Sequence, residues 1–192
     1  MKKIWIATSN AHKVEEFQKM LGEDVQVCCL KDLDQEVEIV ENGKTFEENA
    51  LIKARSLYDV LNQPVISDDS GLEVDAMDKA PGVYSARWMG EDTSYDVKNA
   101  QIIKNVEGKT RTARFVCVIA YIDENGKSHT YRGEVEGQIN DKILGSNGFG
   151  YDPIFYYPEY GTTLANVSSE MKNKVSHRSR ALEKFLKDWR NK

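Results

Sequence analysis

Two adjacent carboxylates, Asp68 and Asp69, directly follow the short apolar run at residues 65–67. Such a run predicts a buried strand, and α/β proteins place ligand chemistry at the carboxyl ends of their strands. Neighbouring side chains of a strand point to opposite faces, so we expect the two carboxylates to have different roles. One is a candidate ligand for a hard cation, and the other a candidate acceptor for a proton from water. An acidic turn closed by Ser70 and Gly71 is the alternative interpretation.

A polar segment, Thr-Ser-Asn-Ala-His-Lys at residues 8–13, separates an apolar run from a helical pattern. Backbone N–H groups at the start of a helix attract anions, and Lys13 adds a positive charge in the first turn. The segment is therefore a candidate phosphate site, although it lacks the GxxxxGK[ST] pattern of a P-loop. The alternative is an ordinary helix cap with a solvated lysine.

Glu41 and Lys53 flank the start of a second predicted helix. Thr45 and Glu48 have the spacing of a capping box, which predicts that this helix begins at residue 46. Glu41 is a candidate second carboxylate for a cation, and Lys53, two turns into the helix, is a candidate phosphate contact. Surface charges on and near a helix are the alternative.

A glycine-rich loop places Phe149 between Gly148 and Gly150. Flanking glycines leave room for a planar ligand against the ring, and every nucleic-acid base has a π-face for such stacking. Asp152 is a candidate acceptor for a base N–H. A flexible turn with one core aromatic is the alternative. Further along the chain, Lys172, His177 and Arg178 supply donors that suit a keto oxygen, or form a solvated helix start.

The elements that must position these residues follow from periodicity and turn signals. The predicted strands are residues 4–7, 25–30, 65–67, 113–122, 129–135 and 154–156. The predicted helices follow residue 10, begin at residue 46, run from about 95 to 106, and include residues 182–189 near the C-terminus. Asn125-Gly126 predicts a two-residue type I′ hairpin turn. This order predicts a mixed α/β fold with one antiparallel hairpin.

Composition limits the class of protein. The 192 residues suit one domain, or one domain with two lobes. A net charge of −5 disfavours binding to a nucleic-acid backbone. Three cysteines without CxxC spacing predict neither a disulfide framework nor a zinc site. No signal peptide and no apolar run of membrane-spanning length is evident, so we expect a cytoplasmic protein without membrane contact.

Order and spacing make these motifs specific together. They resemble the ITPase/Ham1 family of nucleotide pyrophosphatases, whose bacterial members include RdgB-like dITP/XTP pyrophosphatases. Seven blocks carry the resemblance, at residues 8–13, 43–54, 66–76, 81–91, 113–121, 148–155 and 170–182. The departures are conservative. Ser9 stands where the family often has Gly or Asn, Ala11-His12 where it often has a small or glycine-rich pair, and Trp88 where tyrosine is frequent.

The resemblance implies a long twisted mixed β-sheet with flanking helices, forming a single domain over residues 1–192 with two lobes around a central cleft. It implies a homodimeric hydrolase that uses Mg²⁺, with Mn²⁺ as a possible substitute, to convert ITP, dITP and XTP to the monophosphate and pyrophosphate. The biological role would be to clean the nucleotide pool of deaminated purines.

The same resemblance implies residue roles. Asp69 would be the catalytic residue and a metal ligand, supported by Glu41 and Asp68. Which of the two aspartates is base and which is ligand stays open. The substrate-binding residues would be Thr8, Ser9, Asn10, Ala11, His12, Lys13, Lys53, Ser70, Phe149, Gly150, Tyr151, Asp152, Lys172, His177 and Arg178.

Three other functions compete with this interpretation. A Maf-like pyrophosphatase would act on modified pyrimidine nucleotides, but the Ser-His-Arg and Phe-Gly-Tyr-Asp blocks argue against it. A non-catalytic nucleotide-binding regulator would not need the complete set of carboxylates and lysines. A nucleic-acid-binding module is disfavoured by the acidic charge balance.

Overall fold

The computed structural model describes residues 2–191, apart from the side chain of His12. The predicted phosphate contact of the His12 side chain therefore lies outside the described part of the chain. The strands are β1 Lys2–Ile6, β2 Val25–Cys29, β3 Val65–Val74, β4 Thr112–Ile122, β5 Ser128–Ile139, β6 Phe155–Tyr157 and β7 Thr162–Thr163. The helices are α1 Ala11–Leu21, α2 Phe46–Leu61, α3 Tyr95–Asn105, α4 Ser169–Val175 and α5 His177–Arg190.

The strands form one seven-stranded sheet in the order β2-β1-β3-β4-β5-β6-β7. β1 pairs in parallel with β2 and with β3, and β6 pairs antiparallel with β5 and with β7. The predicted mixed α/β class is therefore confirmed. In the described range, residues 2–191, no helix combines the length and apolarity needed to cross a membrane.

The chain divides into two compact units. The first comprises residues 1–69, 117–132 and 181–192, and the second comprises residues 70–116 and 133–180. Each unit has its own apolar core. Ile6, Phe17, Ile119 and Phe185 are fully buried in the first, and Leu72, Ile102, Ile154 and Phe155 are fully buried in the second.

The third strand is longer than predicted. It continues to Val74, so Asp68 and Asp69 lie within β3 and do not follow its end. The pattern hid this because the two carboxylates and Ser70 interrupt the apolar run, whereas Leu72 and Val74 resume it in full burial. Strand alternation therefore applies to both carboxylates, which strengthens the expectation that they face opposite ways.

The hairpin turn between β4 and β5 also differs from the prediction. Gly126 has φ of +75°, but Asn125 does not have a positive φ, so the turn is not type I′. The carboxylate of Asp123 accepts hydrogen bonds from the N–H groups of Asn125 and Lys127, both at 3.0 Å. These bonds hold the chain in a wider turn, and only Gly126 needs the left-handed conformation.

Further differences concern two elements that were not predicted, α4 and β7, and the start of α5. The segment at residues 169–175, which includes Lys172, forms α4, and α5 begins at His177, five residues before the first apolar position that indicated it. Polar residues dominate both stretches, so apolar periodicity could not reveal them. The short strand β7 was likewise not predicted.

Candidate functional site

A side chain within the polar turn before α1, that of Thr8, stabilises the turn. Thr8 Oγ1 accepts a hydrogen bond from the N–H of Asn10 at 3.2 Å. The Thr8 backbone is fixed on both sides, because its N–H donates to Ile6 and its carbonyl accepts from Leu30. Ser9, Asn10 and Ala11 are exposed at the start of the helix. This geometry presents the helix N-terminus to solvent, as an anion site requires.

Lys13, in the first turn of α1, forms an ion pair with Asp68. Its Nζ lies 2.9 Å from both Oδ1 and Oδ2 of Asp68. Asp68 is 3% exposed, so its charge is neutralised inside the protein by a lysine of α1. The two predicted sites at residues 8–13 and at Asp68 therefore belong to one cluster in the first unit.

Lys53 occupies the other side of the strand. Its Nζ lies 2.5 Å from Glu41 Oε1 and 3.3 Å from Asp69 Oδ1. The helix that carries Lys53 is tied to β3 by Ser67, whose hydroxyl donates to the carbonyl of Ala50 at 2.5 Å. Asp68 and Asp69 thus have different lysine partners, as the strand alternation predicted. We call Lys13, Glu41, Lys53, Asp68 and Asp69 the carboxylate–lysine cluster.

The charged groups of this cluster shift the pKa values of Asp69 and Lys53. Burial raises the pKa of Asp69 above its ordinary value; Lys53 opposes the shift, and the charges of Glu41 and Asp68 add to it. Burial alone would lower the pKa of Lys53, but the carboxylates of Asp69, Asp68 and Glu41 outweigh it and raise that pKa. Lys53 therefore stays protonated, and Asp69 is the carboxyl whose affinity for a proton is enhanced. Such a perturbed group is a candidate general base.

The cluster supplies carboxylate oxygens, but lysines hold them. Within residues 2–191 no group of three or more His, Cys, Asp or Glu is arranged to hold a metal ion. However, Asp69 Oδ2 is buried and has no hydrogen-bond partner among the described residues. Three carboxylates face two ammonium groups here. An unsatisfied oxygen in an acidic cluster fits a hard divalent cation, which prefers oxygen ligands.

The loop that carries Glu41 is fixed by residues that sequence reasoning did not single out. Asn49 is 2% exposed, and its Oδ1 accepts from the N–H of Gly43 at 2.8 Å. A Cβ on Gly43 would lie only 2.6 Å from that oxygen, so the close approach requires glycine. The signal was available, since both residues lie in the block at residues 43–54.

The predicted capping box of α2 is only half confirmed. Thr45 Oγ1 accepts from the N–H of Glu48 at 3.1 Å, as expected of an N-cap. The carboxylate of Glu48 accepts from the N–H of Lys44 at 2.6 Å and not from that of Thr45. Asn49 draws Gly43 back over the first turn of the helix, so the N–H of Lys44 is the one that reaches the carboxylate.

In the second unit, the segment around Phe149 forms an exposed loop. Phe149 is 68% exposed, and Gly148 and Gly150 on either side have φ of +72° and +63°. The N–H of Phe149 donates to Asp152 Oδ2 at 3.0 Å. The prediction of an exposed aromatic between two glycines is confirmed, and a core position for this ring is wrong. We call residues 147–152 the Phe149 loop.

Asp152 joins this loop to α4. Lys172 Nζ lies 2.5 Å from Asp152 Oδ2, and the same nitrogen lies 4.6 Å from the centroid of the Phe149 ring. The Asp152 and Lys172 side chains are 3% and 13% exposed. The structure thus brings together three of the residues predicted for a base pocket. The outward face of the ring remains open for stacking.

The other predicted residues of this unit are supported by neighbours. Tyr151 is buried, and its hydroxyl donates to the carbonyl of Ser85 at 2.6 Å. His177 stacks on Phe115 with ring centroids 4.9 Å apart. Arg178 follows it in the first turn of α5, and Ser70 is half-buried in β3. A role of these four residues in binding stays a prediction.

Comparison with known proteins identifies the family. The Ham1 family profile matches residues 4–188. A dITP/XTP pyrophosphatase of Listeria monocytogenes is 48% identical over 98% of this chain and 95% of its own length. The structure of the Staphylococcus aureus Ham1 protein matches with a TM-score of 0.94 at 39% identity, covering 99% of each chain. A Coxiella burnetii HAM1 protein matches with a TM-score of 0.94 at 35% identity over the full length of both chains. This chain belongs to the Ham1 family.

Proposed function

We propose that this protein hydrolyses the non-standard purine nucleoside triphosphates ITP, dITP and XTP to the monophosphate and pyrophosphate. The observation that carries the proposal is the nearly full-length similarity, at 48% identity, to a protein named dITP/XTP pyrophosphatase. Relatives from Geobacter sulfurreducens and Staphylococcus aureus bear the same name at 45% and 43% identity. These relatives lend no support to a pyrimidine-directed or a non-catalytic alternative.

The triphosphate is assigned to the carboxylate–lysine cluster. The exposed helix start at residues 9–11 offers backbone N–H groups, and Lys13 and Lys53 offer positive charge. Charge develops on the leaving pyrophosphate during hydrolysis, and preorganised cations that face that charge lower the barrier. The two lysines are already held in place by carboxylates, which limits the reorganisation needed when the substrate arrives.

The cation is assigned to Glu41, Asp68 and Asp69. Support comes from the excess of three carboxylates over two lysines in the cluster. When bound, Mg²⁺ would neutralise phosphate oxygens and polarise the reacting phosphorus. Mn²⁺ prefers similar ligands, so it is a plausible substitute in solution.

Asp69 is assigned the role of general base. Both oxygens of Asp68 accept from Lys13, whereas one oxygen of Asp69 has no partner among the described residues. Burial also raises the proton affinity of Asp69. Asp69 would orient a water molecule and take its proton as the water oxygen bonds to the α-phosphorus. The bond from that phosphorus to the bridging oxygen breaks, and pyrophosphate leaves with both electrons.

The base is assigned to the Phe149 loop together with Lys172, His177 and Arg178. Hypoxanthine and xanthine present a keto oxygen and an N1–H, whereas adenine presents an amino group and a bare N1. Lys172, His177 or Arg178 facing the keto oxygen would face a donor if ATP entered. A buried polar mismatch of this kind can discriminate by roughly 10⁴.

Two further properties are carried over from the resemblance. We infer a homodimer, which light scattering on the purified protein would test, and a cytoplasmic location, which cell fractionation would test. No nucleic-acid partner is proposed, because the chain has a net charge of −5.

Hydrolysis of ITP with Mg²⁺ in ¹⁸O-labelled water tests the reaction. The proposal expects IMP and pyrophosphate as the only products, with the label in IMP because water attacks the α-phosphorus. A regulator would bind ITP without releasing pyrophosphate. Release of orthophosphate and IDP, or label in pyrophosphate, would place the attack on another phosphorus and overturn the assignment.

A further inference from the structure

Asn99 on α3 forms a hydrogen bond to the backbone of the Phe149 loop. Its side chain is 1% exposed, and its Nδ2 donates to the carbonyl of Gly150 at 3.1 Å. Its Oδ1 is also buried and has no hydrogen-bond partner among residues 2–191. The Nδ2 group of Asn99 thus has a hydrogen-bond partner, whereas its Oδ1 has none among the described residues. The bond from Nδ2 fixes Gly150, the residue that follows Phe149.

The other end of the loop is held in a similar way by Asn147. The N–H of Asn147 donates to the carbonyl of Ala165 at 2.9 Å, and its Nδ2 donates to the carbonyl of Val167 at 2.9 Å. Between these two anchors, Gly148 and Gly150 give the backbone freedom that other residues lack. These two anchors act together with the hydrogen bond from the N–H of Phe149 to Asp152 to set the direction in which Phe149 points.

The surroundings of Asn99 make it a rigid support. Tyr95, on the same helix, packs edge-on against Tyr151, with ring centroids 5.1 Å apart. Lys98 is 1% exposed, lies 4.9 Å above the Tyr95 ring and donates to the carbonyl of Ala86 at 2.8 Å. These contacts fix the start of α3 against its neighbours. The hydrogen bond from Asn99 therefore holds Gly150 in a fixed position.

We propose that Asn99 is a positioning residue that sets the Phe149 ring for stacking on the purine base. Phe149 is 68% exposed, so burial does not fix the ring, and its position depends on the backbone of the loop and on Lys172, whose Nζ lies 4.6 Å from the ring centroid. A buried acceptor without a partner costs stability, so the contribution of Asn99 is to geometry more than to folding. This inference rests on the proposed function, because it assumes that the ring stacks on the base.

The test compares Asn99→Leu with Asn105→Leu, the same substitution at the end of the same helix, where the amide contacts Gln101 and Met77. Phe149→Ala and the double variant complete a cycle. The readouts are kcat and KM for ITP with Mg²⁺, the inhibition constant of inorganic triphosphate, and the melting temperature.

Loss of stacking on Phe149→Ala is expected to raise KM about 10- to 100-fold. Asn99→Leu is expected to raise KM about tenfold, since small misplacements at a binding site are costly. Its kcat changes less, and its affinity for inorganic triphosphate is native, because that probe lacks a base. In the Phe149→Ala background, Asn99→Leu has no further effect, which a merely structural role would not produce.

Two results would overturn the inference. One is an effect of Asn99→Leu equal to that of Asn105→Leu, and the other is an additive effect in the double variant. If Asn99→Leu does not fold, Asn99→Asp replaces it, since a carboxylate keeps the shape but cannot donate to Gly150. A native KM for Phe149→Ala would instead refute the stacking part of the proposed function, and the role of Asn99 with it.

Discussion

Lys172 and Asp152 form a buried ion pair beneath the exposed ring of Phe149, with Nζ 2.5 Å from Oδ2. Asp152 also accepts from the N–H of Phe149, so one carboxylate oxygen joins α4 to the loop. The pair is thus a structural support of the loop as well as a candidate contact for the base. Its two possible contributions can be separated by experiment.

Lys172→Met leaves Asp152 as a buried charge without its lysine. Removal of one partner of a buried pair costs about 3–5 kcal/mol, so chemical denaturation is expected to show a loss of that size. The matched control is Lys174→Met on the same helix, whose pair with Glu170 is solvent-exposed and worth about 0–1 kcal/mol. Equal losses of unfolding free energy for the two variants would contradict a stabilising contribution of the buried Lys172–Asp152 pair.

The acid stability of the second unit depends on Asp75. Hydrogen bonds from Arg114 and Thr112 hold the pKa of this carboxyl well below its usual range. A group with a lowered pKa stabilises the fold above its unfolded pKa, about 3.9, and loses that contribution as the pH falls. The unfolding free energies of native protein and Asp75→Asn should therefore differ by a constant amount at pH 5–7, and the difference should begin to shrink as the pH falls below about 4 and continue to shrink toward the lowered folded pKa.

Urea denaturation at pH 2, 3, 4, 5 and 7 measures this decrease. Arg114 keeps Glu73 and Glu136 as partners in the variant, so the comparison isolates one carboxylate. A difference that stays constant from pH 7 to pH 2 would show that Asp75 contributes without its charge.

Thr45 stabilises the start of the helix that carries Lys53. Its Oγ1 accepts from the N–H of Glu48, so Thr45→Ala leaves that donor without its cap. We expect a loss of about 1 kcal/mol in unfolding free energy. Thr45→Ser retains the hydroxyl and should recover most of the loss, whereas an equal loss in both variants would point to the methyl group.

The sequence predicted most elements of this fold because apolar periodicity marks them clearly. β4 and α2 appeared close to their predicted bounds, and Thr45 marked the start of α2. β3 was underestimated because Asp68 and Asp69 interrupt its apolar pattern. Such an interruption is expected where a strand carries chemistry, since local patterns fail most often at functional sites.

The residues of the carboxylate–lysine cluster were singled out from the sequence, but their contacts with one another were not predicted. Lys13 with Asp68, and Lys53 with Asp69, are 55 and 16 residues apart in the chain, and no local pattern specifies such contacts. The role of Asn99 was not predicted because its hydrogen-bond partner is a backbone carbonyl, which the sequence pattern does not reveal. The anchors of a loop thus become visible only in the structure, whereas the loop itself was evident from its glycines.

The most direct test of the proposed activity compares pyrophosphate release from ITP, XTP, GTP and ATP with Mg²⁺, for native protein and for Asp69→Asn. We predict rates with ITP and XTP far above those with ATP, and a loss in kcat of about 10²–10⁴ for Asp69→Asn as expected for a general base. The folded variant should retain affinity for inorganic triphosphate through its lysines. Equal turnover of all four nucleotides would contradict the assigned base selectivity, and a native kcat for Asp69→Asn would contradict the assigned catalytic role.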